Sequence, residues 1–248
     1  MNIHISHSPE ELGTAAGKAA AERIREAIEK KGEANIILAT GTSQFETIRQ
    51  LISEDIDWSA VTMFHLDEYI GLPVSHAASF RRYLRERFLN KVKPLKNAYL
   101  INGETDAESE TARLDELIRR HPIDVALVGI GENGHLAFND PPANFETDKP
   151  YLTVTLDEPC RMQQFNEGWF ESINAVPRQA ISMSVRQIMK SAHIICSVPD
   201  KRKARAVKDS LENSVDNRYP ASILQMHNSC LFFLDTASAS LLNETVEQ

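Results

Sequence analysis

Short apolar runs alternate with amphipathic stretches along most of this chain, and that alternation restricts the fold more than any other feature of it. Ile36–Ala39, Val61–Leu66, Ala98–Ile101, Asp124–Val128, Tyr151–Leu156, Ala180–Met183, Ala192–Val198 and Ser229–Leu234 have the length and apolar content of strands. Helical spacing fills many of the gaps between them. Leu12, Ala16, Ala19, Ala20, Ile24, Ala27 and Ile28 recur every three or four residues, after Ser8-Pro9-Glu10-Glu11, which supplies an N-cap, a first-turn proline and a capping-box glutamate. Gly32 is a fitting stop. Ser43-x-x-Glu46 and Thr105-x-x-Glu108 open two more helices by the same rule, and residues 76–91 and 200–212 also read as helices. Strands that are apolar throughout must be covered on both faces, as they are when helices cross over between parallel strands. The expected fold is α/β, Rossmann-like in a modified doubly wound arrangement, with a mostly parallel sheet and helices on both faces. No repeat, low-complexity tract or linker divides residues 1–248, so one domain is expected.

Composition narrows the function classes. The 35 acidic residues outnumber 27 basic ones for a formal net charge of -8, whereas a dedicated nucleic-acid binder carries a basic face. No stretch reaches the roughly 18 apolar residues of a membrane span. Neither nucleic acid nor membrane is therefore an expected partner. A phosphorylated small molecule stays open, because a few local groups suffice to hold a phosphate. Cys160, Cys196 and Cys230 are far apart and odd in number, which suits a reducing compartment, and Cys196 and Cys230 lie in apolar runs as core residues. The first ten residues lack a basic segment followed by an apolar one, so no signal peptide is expected and the cytoplasm is the expected location.

In such a sheet ligands bind beyond the carboxyl ends of the strands. Four polar loops follow four of the expected strands: Thr40-Gly41-Thr42-Ser43, Asp67-Glu68-Tyr69, the stretch from Gly129 to Asp140, and Pro199 to Lys203. In the first, a glycine permits close approach, and amides and hydroxyls suit a phosphate; the other reading is a plain capping turn. The P-loop lysine is absent, which argues against a nucleotide triphosphatase. Gly129, Gly131 and Gly134 spell the dinucleotide-binding pattern, yet Pro141-Pro142 follows too soon for the helix that pattern needs. The glycines are read instead as letting a tight loop aim His135 at the cleft. Asp67 and Glu68 are adjacent, so alternation sends them to opposite sides; one carboxylate can face the cleft as a general base while the other pairs elsewhere. The eight histidines show no metal-binding spacing, so no metal is expected, and His65 and His193 read as satisfied core residues. Lys203 follows Lys201 and Arg202 into the first turn of a helix, where a bound anion would offset the opposed dipole. At least two of these three cations are expected to be merely solvated.

Taken together, Ala39-Thr-Gly-Thr-Ser43, Phe64-His-Leu-Asp-Glu-Tyr-Ile-Gly-Leu72 and Gly129-Ile-Gly-Glu-Asn-Gly-His-Leu-Ala-Phe-Asn-Asp-Pro141 resemble the glucosamine-6-phosphate deaminase (isomerase) family in order and spacing over most of the chain. The related 6-phosphogluconolactonases usually carry threonine-alanine-serine after the histidine loop and Asp-Glu-Arg in place of Asp67-Glu68-Tyr69. The resemblance implies an enzyme that opens the ring of an amino-sugar phosphate, moves a proton from C2 to C1, and releases ammonia to leave a ketose phosphate, with no cofactor. It assigns Asp67 as the C2 base and His135, Asn133 and Asp140 as the ring-opening relay. It assigns Thr40, Gly41, Thr42, Ser43 and Lys203 to the phosphate. Departures from the family pattern are several. Asn133 stands where many members have aspartate, and Asp140 where the acid is usually glutamate. The family's Ser-Arg-Phe-Phe arginine has no counterpart in Gln163–Phe170, and Ser184-Val185-Arg186 replaces Gly-Val-Gly, which makes Arg186 a candidate substitute cation. The positions tied to allosteric activation do not match, so no such control is expected. A lactonase and a non-catalytic sugar-phosphate sensor are the alternatives. A homo-oligomer stays open, because Trp169 and Phe170 read as exposed aromatics of a lid or an interface.

Overall fold

Strands that are apolar on both sides do pair in parallel, and helices cover both faces. The computed structural model describes residues 2–243. Its elements, in chain order, are β1 (Asn2–Ser6), α1 (Pro9–Lys31), β2 (Ala34–Leu38), α2 (Phe45–Leu51), β3 (Val61–His65), β4 (Asp67–Tyr69), α3 (Phe80–Leu84), β5 (Asn97–Tyr99), α4 (Ala107–Arg119), β6 (Val125–Val128), β7 (Tyr151–Thr155), α5 (Glu158–Asn166), β8 (Gln179–Met183), α6 (Val185–Ile188), β9 (His193–Val198), α7 (Ala204–Glu212) and β10 (Cys230–Asp235). Seven strands form one parallel sheet in the order β1-β10-β9-β6-β2-β3-β5. From β2 the chain moves outward through β3 and β5, then returns to lay β6 on the other side of β2. The loops leaving β2 and β6 diverge at this reversal, and a crevice opens between them.

Alternation along β2 shows the two-sided core directly. Ile37 packs with Leu114, Val185 and Val207 from α4, α6 and α7, whereas Ile36 and Leu38 pack with Leu12, Ile24, Ile48 and Leu84 from α1, α2 and α3. The longest helix, α1, starts as its sequence predicts: Ser8 Oγ accepts the Glu11 amide at 3.2 Å, and Gly32 ends it in the left-handed region at φ 80°. Its Gly13 lies so close to α2 that a Cβ there would sit 2.2 Å from the Glu46 Cβ.

Several expectations are corrected. Tyr151–Leu156 and Ala180–Met183 do not join the main sheet; β8 pairs antiparallel with β4 on one side and β7 on the other in a second, three-stranded sheet. Thr105 does not cap α4, because Asp106 does, accepting the Ser109 amide at 2.8 Å. Ser43 is no cap either and lies inside a 3-10 turn, Thr42–Gln44. The helix expected from residue 76 begins at Phe80, where Ser79 caps it, and passes into a π turn at Arg85–Leu89. His65 is fully buried but only half satisfied: Nδ1 accepts the Ile101 amide at 3.4 Å, and Nε2 has no partner. Burial holds its pKa down to about 3, so it is neutral. His193 is half-buried, with its ring 2.7 Å from Ser229 Oγ. None of the described helices is long and apolar enough to cross a membrane.

Candidate active site

The crevice at the sheet reversal is a cleft lined by all four loops that sequence reading selected. The β2 loop is held from three directions. Tyr83 donates its hydroxyl proton to the Gly41 carbonyl at 2.9 Å, and Gly41 itself takes φ 99°. The buried Gln44 amide reaches the carbonyls of Val128 and Ser197, at 3.4 and 3.3 Å, and so ties this loop to the ends of β6 and β9. Thr40, Gly41, Thr42 and Ser43 all face the cleft.

Asp67 and Glu68 take the opposite orientations that alternation requires. They lie in β4 rather than in a loop, opposite Ser182 and Ile181 of β8. Glu68 turns away from the cleft and accepts from Ser79 Oγ at 2.9 Å, the Arg81 amide at 2.8 Å and Arg81 Nε at 3.3 Å. Burial raises its pKa, with these donors and the Arg81 charge working against the rise. Asp67 faces the cleft, 6% exposed, with Oδ1 buried and without a partner. Burial, with the Glu68 charge second, pushes it up to about 8.

The glycine loop after β6 folds around its own histidine. A Cβ on Gly131 would lie 2.2 Å from the His135 ring, and Gly134 turns the chain at φ 86°. No helix starts in this loop, as the two prolines require. Asn133 Nδ2 donates to Asp140 Oδ1 at 3.1 Å, which leaves Asn133 Oδ1 to accept from the His135 backbone amide at 3.2 Å and from ring Nδ1 at 2.7 Å. Nδ1 therefore carries the ring proton, and Nε2 is the basic nitrogen. Asp140 Oδ1 lies 3.3 Å from Nδ1. Burial works to raise the Asp140 pKa, but the His135 hydrogen bond and charge, with the Asn133 amide, outweigh it and hold the carboxyl below its ordinary value. Asn139 anchors the segment to β8, donating to the Met183 carbonyl at 2.8 Å.

At the fourth loop, Lys203 closes a 3-10 turn ahead of α7 and enters the cleft, 7% exposed. Burial lowers its pKa, while Glu132 and Glu167 work to keep it charged. Arg202 also lines the cleft, 2.9 Å from Asp200 and 3.5 Å from Glu132, and only Lys201 of the three is outside it. Arg186 is elsewhere: it pairs with Asp148 at 3.1 Å and donates to the Glu146 carbonyl at 3.1 Å, so it does not supply a cation to the cleft.

Residues 7–233 match the family described as glucosamine-6-phosphate isomerases/6-phosphogluconolactonase. The chain belongs to this family. A glucosamine-6-phosphate deaminase of Streptococcus equi subsp. equi (strain 4047) is 38% identical over 228 residues, which are 92% of this chain and 95% of the relative. One from Listeria monocytogenes serotype 4a (strain HCC23) is 39% identical over 231 residues, 90% and 96% of the two chains. A solved structure of a monomeric glucosamine-6-phosphate deaminase superposes with a TM-score of 0.89 at 33% identity, covering 97% of this chain and all 100% of that one. A 6-phosphogluconolactonase from Thermotoga maritima shares the fold, with a TM-score of 0.78 at 16% identity over 94% and 99% of the chains.

Within the family cleft, sequence reading missed what α5 contributes. Gln163, Gln164 and Glu167 line the wall, with Gln164 accepting from the Tyr69 hydroxyl at 2.7 Å. The signal was present in Asp157 followed by Pro159, an N-cap and a first-turn proline, and Asp157 Oδ1 indeed accepts the Cys160 amide at 2.7 Å. Trp169 and Phe170 are not the exposed aromatics expected. Phe170 is buried edge-on to Tyr69 at 5.6 Å between ring centres, and Trp169 is partly buried against the same cluster. His135, Asp140 and Cys160 present ligand atoms within 4.8 Å of one another, a spacing a metal ion could use. The imidazole Nδ1 and Asp140 Oδ1 already serve Asn133, however, and burial, with the Asp140 charge second, pushes the Cys160 thiol up, so it keeps its proton. Hydrogen-bonded as it is, the set suits proton transfer.

Proposed function

We propose that this chain is a glucosamine-6-phosphate deaminase, converting glucosamine 6-phosphate and water to fructose 6-phosphate and ammonia. The observation that carries the reading is Asp67, a buried carboxyl with a partnerless oxygen, aimed into a cleft that also holds the His135 relay. The phosphate lies against Thr40, Gly41, Thr42 and Ser43 with Lys203, and Arg202 takes the place of the missing arginine as the second cation.

The ring opens first. His135 Nε2 takes the proton of the C1 hydroxyl and returns it to the ring oxygen, while Asp140 and Asn133 steady the transient imidazolium from the Nδ1 side. Opening exposes an aldehyde, and the C2 proton beside it becomes acidic. Asp67 as carboxylate removes that proton; the C–H electrons form the C1–C2 double bond, the carbonyl electrons move to O1, and O1 takes a proton from water to give an enol. The nitrogen lone pair then drives protonation of C1 by Asp67, leaving an imine at C2. Water adds to the imine, the C2–N bond breaks, ammonia leaves, and C2 becomes a ketone. A carboxyl titrating near 8 is a far stronger base for a carbon acid than an ordinary aspartate, which suits this step. Lactone hydrolysis moves no proton between adjacent carbons and would not need Asp67 as a shuttle.

The test is a panel of glucosamine 6-phosphate, galactosamine 6-phosphate and 6-phosphogluconolactone, with ammonia and ketose phosphate as readouts. Turnover of an amino sugar is expected, with Asp67→Asn lowering kcat by about 10²–10⁴-fold while still binding substrate. Equal rates for Asp67→Asn and wild type would sink the base assignment. Hydrolysis of the lactone alone would make the chain a lactonase, and binding without turnover would make it a sensor.

A further inference from the structure

One buried nucleophilic group beside the relay has no part in the reaction as written. Cys160 is the third residue of α5 and is 1% exposed. Asp157 caps its backbone amide at 2.7 Å. Its sulfur, a carboxyl oxygen of Asp140 and a ring nitrogen of His135 all lie within 4.8 Å of one another. Asp140 uses only one of its oxygens in the relay: Oδ1 accepts from Asn133 and faces His135 Nδ1, whereas Oδ2 is buried with no hydrogen-bond partner. A carboxylate oxygen left in that state is costly, and a donor turned toward it recovers much of the cost.

We propose that Cys160 is a positioning residue of the ring-opening relay, its S–H donating to Asp140 Oδ2 and extending the chain to Cys160–Asp140–Asn133–His135. The inference rests on the relay role given to those residues above. The thiol keeps its proton throughout, so nothing is transferred from sulfur. The groups facing it bear this out: Asp140, Asp157 at the start of α5, and Asp67 on β4 all resist formation of a thiolate, and Tyr69 adds a neutral phenol from β4. His135 is the single basic group of the relay that faces it. With Oδ2 bonded, the Asp140 carboxylate has one orientation, which fixes Asn133 and, through it, the ring tautomer of His135.

The first measurement uses the unaltered chain. Infrared spectra contain an S–H stretching band for each of three buried thiols, with Cys196 and Cys230 as internal references in apolar surroundings. The Cys160 band, identified by its disappearance in Cys160→Ser, is expected at lower frequency than the other two and is expected to move back toward them in Asp140→Asn. A Cys160 band coincident with those of Cys196 and Cys230 would overturn the proposal. This readout needs no turnover, so it stands apart from the question of which substrate is used. The second measurement is kinetic, with a chelator present so that no stray cation bridges the three groups. Cys160→Ala is expected to lower kcat about tenfold with KM nearly unchanged and to move the acidic limb of the kcat pH profile upward, because Asp140 loses a donor. Cys160→Ser, which keeps a donor, is expected to restore most of both. Equal impairment of the two variants would mean that the sulfur only fills space, and wild-type behaviour in both would remove Cys160 from the relay.

Discussion

Asp67 and Glu68 are neighbours of the same chemical type that the fold treats in opposite ways. Glu68 has donors from four residues, the Arg81 guanidinium among them, which work against the rise that burial causes; Asp67 beside it has a buried oxygen without a partner and is pushed up to about 8. This has a stability consequence of definite sign. The folded chain binds the Asp67 proton more tightly than the unfolded chain, whose ordinary value is 3.8, so the stability present below that value is lost as pH rises through about 8. Asn at this position cannot ionise. Asp67→Asn should therefore melt at nearly the wild-type temperature near pH 4 and well above it at about pH 9, a gap on the order of 5 kcal/mol at the upper limit. Melting curves of both proteins across that range check it, and a gap that stays constant with pH would contradict the assignment. Most residues of this kind were legible in the sequence because they lie in polar segments that follow apolar strands. Asp67 and His135 needed only the rule that polar groups beyond the carboxyl ends of strands meet in one cleft, whereas the parts given to Asn133 and Asp140 came from the family resemblance. Arg202 was not legible, because three consecutive cations at 201–203 give no sign of which face the cleft.

Elements show where local signals run short. The main-sheet strands β2, β3, β6, β9 and β10 were recoverable from continuous apolar runs, because burial on both faces leaves that trace. β1 has an alternating pattern with one side exposed, and β4 is three residues long, so neither registers as a run of its own. β7 and β8 were seen as strands but placed in the wrong sheet, since pairing direction is set by tertiary packing and by no single residue. Close approach between elements yields a sharper prediction. An alanine Cβ at residue 13 would meet the Glu46 Cβ at 2.2 Å, with α2 backbone next at 2.6 Å, so α1 and α2 would have to separate. Gly13→Ala should lose about 1–3 kcal/mol of stability in denaturant unfolding even though alanine is the better helix former. Gly131→Ala meets the His135 ring instead, also at 2.2 Å, and on the proposed mechanism should lower kcat sharply with little change in the melting temperature.

For the whole molecule, a net charge of -8 has to coexist with a phosphorylated substrate. On the proposed reading Lys203 and Arg202 provide the local attraction, with Glu132 and Glu167 near them. Lys203→Ala and Arg202→Ala should each raise KM about 10–100-fold, with Arg186→Ala, whose side chain bonds Asp148 and Glu146, indistinguishable from wild type. A KM rise for Arg186→Ala and none for Arg202→Ala would reverse the assignment of the second cation. The order of the main sheet carries a further consequence, for synthesis. β10 lies between β9 and β1, so among the described strands the first in the chain pairs with the last. β1 cannot gain this neighbour until more than two hundred further residues have left the ribosome, so their pairing is a contact of very high sequence separation that synthesis itself delays.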